Sequence, residues 1–308
     1  MVAVALFLVF GRGGRRAVLS WQHNEGFIFG TVFSITYQYD KDLQADIEAE
    51  LRMVDAEFSM FNGESTVSRI NRGDSVVERS AMFDEVYALA QQVNADTHGA
   101  FDITVAPLVN AWGFGFKHEQ LPTAAQVDSL LQIRSQMDFA AIAKGYGCDV
   151  VARLLESRGI GNYMVEIGGE VAVSGTSQRD DSWRIGVNKP VEDSLSMSGE
   201  LQAVLTLSDV CMATSGNYRT FYYKGGRKYA HTIDPRTGYP VQHELLSATV
   251  LATDCATADA YATAFMVLGL DSARVVLQRH PDMKAYFIYT GPDGGYAVWH
   301  SPGMAIED

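Results

Sequence analysis

Between residues 27 and 300, segments of helical and of strand periodicity follow one another without a proline-rich linker, an internal repeat or a low-complexity stretch. That alternation narrows the fold more than any single motif. An amphipathic helix or a half-buried strand must cover its apolar side with a neighbour, so the pattern predicts one intimately mixed α/β domain. A helix is expected over 43–58, with Leu43, Ile47, Leu51, Val54 and Phe58 on one stripe. A second is expected over 81–97, with Phe83, Val86, Leu89 and Val93 inward. A third covers 143–158, burying Val150, Val151, Leu154 and Leu155 before a stop at Gly159. Shorter helices are expected near 124–131, over 257–268 and after a cap near Asp271. Strand patterns occupy 27–39, 163–167, 171–174, 183–187, 201–207 and 247–253, and a closing hairpin pairs 285–289 with 296–300. Residues 59–74 read as a loop and 100–117 as an irregular aromatic segment, while 211–225 passes from a loop into an aromatic strand.

The charge balance sets terms for any ligand. With 24 basic against 37 acidic residues the net charge is −13, a surface that repels a nucleic-acid backbone. An anionic ligand then needs backbone N–H groups, a helix N-terminus or a divalent cation. Cys148, Cys211 and Cys255 are the only cysteines and form no CxxC pair and no zinc spacing, so neither a disulfide framework nor a thiolate metal site is indicated. Cys148 reads as buried packing.

Residues 2–10 are an unbroken apolar run followed by Arg12, Arg15 and Arg16. The run falls well short of the ~20 residues that span a bilayer. Its charges follow the apolar stretch and no small-residue cleavage site stands out, unlike a signal peptide. No cysteine lies near the start to carry a lipid anchor. The segment reads as the stump of an export or anchor sequence, with a poorly ordered tail as the alternative. Residues 1–22 are therefore set apart from a domain spanning 23–308.

Four stretches carry candidate chemistry. Asp259 and Thr263 stand one turn apart on a helix face, hard oxygen ligands suited to Mg²⁺ or Ca²⁺, with Asp254 as a further carboxylate. The plainer alternative has Thr263 packed inward and Asp259 facing water or capping the helix. The run from His231 to Gly238 puts a histidine at a strand end beside a turn fixed by Pro235 and Gly238. That histidine is either a general base or simply hydrogen-bonded into a loop braced by Asp234. The run from Ala100 to Gly113 is aromatic, polar and irregular, and suits either a wall for a flat ring or a loop covering the core. Finally, the run from Asp138 to Tyr146 enters a helix N-terminus through small residues, where backbone can approach an anion. Gly168-Gly169-Glu170 and Thr214-Ser215-Gly216-Asn217 offer weaker versions of the same feature.

Taken in order, these stretches resemble the ApbE family of FAD:protein FMN transferases. The resemblance runs through Phe29-Gly30-Thr31, the Ser65 to Asn71 segment, Gly99-Ala100-Phe101-Asp102, Pro107-Leu108-Val109 and Trp112-Gly113-Phe114-Gly115. It continues through Ala141 to Tyr146, Glu166 to Glu170, Ala213 to Gly216 and His231 to Gly238, and ends on Ala258-Asp259 with Thr263-Ala264. It implies an α+β fold of intermixed antiparallel strands and helices. It also implies Mg²⁺ held by Asp259, Thr263 and the backbone carbonyl of Ala141. Phe29, Ala100, Phe101, Asp102, Asp138, Lys144 and Ile233 would contact FAD, and His231 would deprotonate the acceptor hydroxyl. Where some members carry a further carboxylate this chain has Ala262, which leaves room for water around the metal.

The implied activity cleaves FAD, attaches FMN through a phosphoester to a threonine or serine of a target flavoprotein, and releases AMP. The implied partner is a flavin-carrying subunit of a membrane redox complex or reductase, met at the outer face of the cytoplasmic membrane. Two alternatives remain open: a Mg²⁺-dependent FAD pyrophosphatase with water as acceptor, and a carrier that binds FAD without chemistry.

Overall fold

A computed structural model describes residues 19–114, 121–133, 136–191, 200–217, 221–224 and 227–307. Strands β1 (Trp21–Ile28) and β2 (Thr31–Gln38) form a hairpin, paired from Trp21 opposite Gln38 to Ile28 opposite Thr31. The single strand expected over 27–39 is thus broken. Phe29 and Gly30 both take positive φ, 52° and 75°, the two-residue turn whose twist matches the flanking strands. Because β1 starts at Trp21, residues 21–22 belong to the sheet, while the apolar run and the arginines at 2–16 lie outside the described residues.

Helix α1 (Gln44–Phe58) buries Ile47, Leu51, Val54 and Phe58, the stripe its periodicity predicts. The expected loop at 59–74 contains α2 (Thr66–Arg72). Its loop-like composition consists of its own ends: Ser65 accepts from the Ser68 N–H, and Gly73 closes the helix at φ 83°. Next comes α3 (Ala81–Asp96), capped by Ser80. A 3-10 turn, Ile103–Val105, runs into α4 (Ala106–Ala111), so the segment expected to be irregular is largely helical up to Ala111, and its residues 115–117 lie outside the described ones. α5 (Ala124–Leu131) carries a reciprocal capping box between Thr123 and Gln126. α6 (Ala143–Ser157) follows.

Gly168 and Gly169 turn β3 (Tyr163–Ile167) into β4 (Glu170–Ser174). β5 (Trp183–Asn188) and β6 (Leu201–Leu207) pair with each other. β7 (Val210–Gly216) is a strand where a loop was expected, because its small residues pass between β4 and a later strand. β8 (Phe221–Lys224) and β9 (Arg227–Ala230) make a short ribbon. The chain then forms β10 (Leu245–Ala252), α7 (Cys255–Leu268), α8 (Leu270–Leu277), β11 (Lys284–Thr290), β12 (Tyr296–His300) and β13 (Ile306–Glu307).

The main sheet runs β1-β2-β3-β4-β7-β10-β11-β12, every neighbouring pair antiparallel. Its central strands are buried on both faces, which is why they read as nearly continuous apolar runs. On β11, Ala285 and Phe287 face a core shared with α3, α6 and α7, while Tyr286 and Ile288 face the opposite way. That opposite face is covered by the small sheet β13-β6-β5 through Trp183, Val187, Leu205 and Leu207. The result is three layers: helices, the eight-stranded sheet and the small sheet. α7 is apolar almost all round and buried to match, lying against β7, β10 and α6.

Candidate active site

The site forms where the first turn of α6 meets the middle of α7. Asp259 is 2% exposed, and its Oδ2 accepts the Gly145 N–H at 3.1 Å. One turn on, Thr263 Oγ1 lies 3.0 Å from Ser215 Oγ on β7. Both residues therefore face inward, against the alternative in which Asp259 meets water. Lys144 extends its Nζ to 2.6 Å from Glu170 Oε1 and 3.9 Å from Asp259 Oδ2. Burial pushes the Asp259 carboxyl up, while the Lys144 charge and the Gly145 N–H pull it down. Burial also opposes the charge on Lys144, but Asp259 and Glu170 outweigh it and hold its pKa above the ordinary lysine value.

Two buried carboxylates thus share one ammonium, and Glu170 Oε2 is buried with no hydrogen-bond partner. Burial pushes the Glu170 carboxyl up to about 7, so the two carboxylates and the unanswered oxygen would be stabilised by a further positive charge. The carboxylates of Asp259 and Glu170 and the hydroxyl of Thr263 are hard donors of the kind Mg²⁺ takes, and Ala141 lines the same cavity. Among the described residues no three His, Cys, Asp or Glu side chains converge as a metal cage.

The turn leading into α6 is pinned from a distance. Asn71 on α2 donates Nδ2–H to the Met137 carbonyl and accepts the Met137 N–H, both at 2.7 Å. Asp138 then donates its N–H to the Ile103 carbonyl at 2.6 Å and accepts the Ala140 N–H at 2.8 Å. Burial pushes the Asp138 carboxyl up.

His231 directly follows β9, the strand-end position expected of it. The turn after it is braced locally: the Asp234 carboxylate accepts from the Arg236 main-chain N–H at 2.9 Å, and the Gly238 N–H donates to the Asp234 carbonyl at 2.7 Å. Ile233 is buried with Leu108, Trp112 and Val127. Trp112 donates its ring N–H to the Gly238 carbonyl at 2.7 Å and stacks on Tyr229 at 5.8 Å. Tyr229 stacks on Tyr222 at 5.4 Å, Tyr222 meets Phe114 at 5.1 Å, and Phe114 meets the His231 ring at 6.4 Å. The aromatic segment and the β8–β9 ribbon thereby form one wall.

One cavity of about 880 Å³ lies at this meeting point; of the stacked rings Phe114 and His231 line it, whereas Trp112, Tyr222 and Tyr229 do not. Ala100, Phe101, Asp102, Asp138, Ala141, Lys144, His231, Ile233, Asp259 and Thr263 all line it. Phe29 is absent from that lining; its ring packs against Gly147 of α6 from the hairpin turn. Asp254 does not join Asp259 either. It caps α7, accepting the Thr257 N–H at 2.8 Å, and lines a separate cavity with Asp149. Cys148 is buried, its Sγ donating to the Glu170 carbonyl at 3.3 Å, and burial pushes its thiol up, as packing rather than chemistry requires. Glu170, Ser215 and Asn71 also build the site, although residue type and spacing give them no side-chain role. The sequence marks them only as members of the segments that carry the family resemblance, which does not reveal where a side chain points.

Comparison with known proteins bears on the same residues. The ApbE family matches residues 29–287. A FAD:protein FMN transferase of Haemophilus influenzae is 36% identical over 305 residues, covering 87% of this chain and 86% of that one. One from Vibrio cholerae serotype O1 is 36% identical over 287 residues, covering 83% and 84%. Among solved structures, the flavin transferase ApbE from Vibrio cholerae gives a TM-score of 0.82 at 33% identity, covering 92% of this chain and 98% of its own. The apo flavinyl transferase ApbE from Pseudomonas stutzeri gives 0.81 at 29% identity, covering 92% and 95%. The α+β architecture of antiparallel strands and intermixed helices is the one those structures share. Matched through all three of its layers and across the whole cavity, the chain belongs to the ApbE family.

Proposed function

We propose that the chain is a Mg²⁺-dependent FAD:protein FMN transferase. It splits FAD and joins FMN, through a phosphoester, to a threonine or serine of an acceptor flavoprotein, with AMP as the leaving product. The observation that carries this reading is the single cavity whose walls hold a histidine on one side and a buried Lys144-Glu170-Asp259 trio on the other. A carrier needs neither a base nor a site for a cation.

Asp259, Thr263 and the Ala141 carbonyl would hold Mg²⁺, which when bound neutralises diphosphate charge. The chain's own residues do the rest. His231 takes the proton from the acceptor hydroxyl, a poor nucleophile at neutral pH. That oxygen forms a bond to the FMN-side phosphorus, and the bond from this phosphorus to the bridging oxygen breaks, the bridging oxygen departing with AMP. Lys144 sets a positive charge beside the phosphates in a chain of net charge −13. Phe114, held by its contact with Tyr222, gives the flavin ring a surface and shields His231 from water. Relatives bear the name FAD:protein FMN transferase, which supports the same reading. The same reading, through the family resemblance, has it act at the outer face of the cytoplasmic membrane, on a subunit of a membrane redox complex or reductase.

The test is the intact mass of a candidate flavoprotein subunit after incubation with the protein, FAD and Mg²⁺. A gain of one FMN, abolished by EDTA, is the expected result. Free FMN and AMP without an adduct would replace the transferase by a pyrophosphatase. Bound, unreacted FAD with no AMP, across several acceptors, would leave a carrier.

A further inference from the structure

β5 ends the small sheet, and among the described residues its only ladder is the one with β6. Residues Arg184 to Asn188 all line the candidate site cavity, one after another. Side chains alternate between the faces of a strand, and Trp183 and Val187 are buried between the two sheets. A cavity that meets every residue in turn therefore runs along the strand's edge. That edge presents the main-chain N–H and C=O groups that β6 does not take. Natural edges are blunted by charges, prolines or bulges. Here Arg184 is drawn to Glu307 on β13, and the bulge falls between Val187 and Asn188. The stretch Ile185-Gly186 between them has no such device.

FAD offers no repeating series of amide donors and acceptors, whereas a peptide offers one at the spacing of a strand. The reaction also requires a peptide here, because the hydroxyl to be modified sits on a main chain and must reach His231 and Asp259 in this same cavity. We infer that the acceptor protein presents its threonine on an extended segment that docks as an added strand on the open edge of β5. This rests on the transferase reading. Main-chain hydrogen bonds would then supply affinity, and the alternation of the strand would aim the threonine into the cavity while its two neighbours point away.

The test begins with the intact acceptor, whose FMN adduct identifies the modified threonine. A synthetic peptide around that threonine is then made in versions carrying a single backbone N-methyl group at each position in turn. N-methylation removes one donor and leaves every side chain in place. Strand addition predicts KM raised roughly tenfold or more at every second position and within about twofold at those between, with kcat and FAD binding unchanged. A profile without period two overturns the docking while the transferase stands. Modification of the folded acceptor but not of the peptide overturns it in the same way. If the intact acceptor gains no FMN while FAD is split, the transferase reading falls and the docking falls with it.

Discussion

The N–H of Gly145 reaches Asp259 only because Gly145 has no side chain. A Cβ placed there would lie 2.6 Å from the Cys255 carbonyl carbon and 2.9 Å from the Ala256 Cα, both main-chain atoms of α7 that cannot swing aside. Gly145→Ala must push α6 and α7 apart and take the N–H from the carboxylate with it. The expected loss is at least the ~1–3 kcal/mol typical of overpacking. A thermal melt measures it, and an unchanged Tm would show that the helices are not held at this spacing.

Asp259 and Thr263 should separate by what their oxygens do. Asp259→Ala removes a carboxylate and leaves Glu170 alone with Lys144, and flavin transfer should fall by on the order of 10³-fold or more. Thr263→Ser keeps the hydroxyl 3.0 Å from Ser215 and should retain most activity, whereas Thr263→Val should not. Rates measured against Mg²⁺ concentration check both. Equal Mg²⁺ dependence in Thr263→Val and the wild type would remove Thr263 from the metal site.

His231→Gln should keep FAD affinity, since Phe101, Phe114, Lys144 and Ile233 line the cavity independently of it. Transfer to the acceptor should drop by roughly 10²–10⁴-fold. Fluorescence titration of FAD beside the adduct assay separates the two effects. A variant with the full transfer rate would show that another group takes the proton.

Asp149 reports on the N-terminus of α7, accepting the Cys255 N–H at 2.7 Å and the Ala256 N–H at 2.9 Å. Burial pushes its carboxyl up to about 7 from 3.8, against the pull of those two N–H groups. Folding therefore takes up a proton between these values. The stability from this group is present in full below about pH 4 and lost as the pH rises through about 7. The difference in stability between the wild type and Asp149→Asn should shift against the wild type over that window, by at most about 4 kcal/mol. Paired melts from low to neutral pH measure it, and a constant difference would mean that Asp149 is ionised throughout.

Asn71→Ala breaks both hydrogen bonds to Met137 and leaves a donor and an acceptor of the main chain unanswered. A cost of about 2 kcal/mol is expected, with weaker FAD binding through displacement of Asp138. Asn71→Asp, which can still accept the Met137 N–H, should recover part of both. FAD binding as strong as the wild type's in the Ala variant would detach this pair from the site.

The parts of the fold readable in advance were those set by local periodicity. The stripe ending at Phe58 and the inward face of α3 through Phe83, Val86 and Val93 are where the spacing puts them. Positions governed by backbone conformation or by distant contacts were not readable. Phe29 at positive φ is concealed by an unbroken alternation of aromatic and β-branched residues. Leu89 lies inward by spacing, yet it is only partly buried at the margin of the core while the neighbouring Ala90 is fully buried, a difference that packing and not spacing decides. The same division holds in the site. His231 and Asp259 stand out by residue type, whereas Glu170 matters only because the fold brings Lys144 to it from another element. The family resemblance supplied the grouping that spacing alone could not.

The main sheet takes its strands in chain order, and the site's outer walls come from two excursions that leave it and return to the adjacent strand. One runs from β4 to β7 and contains β5 and β6; the other runs from β7 to β10 and contains β8, β9 and His231. An excursion that departs from one strand and rejoins its neighbour can lengthen, shorten or be exchanged without shifting any ladder of the main sheet. Asp259, Thr263 and Lys144 stand on the helices behind the sheet and stay in place when that happens. Descent within such a fold is free to rewrite what a protein accepts as a client through the excursion between β4 and β7, while the one that carries His231 must keep that residue in place.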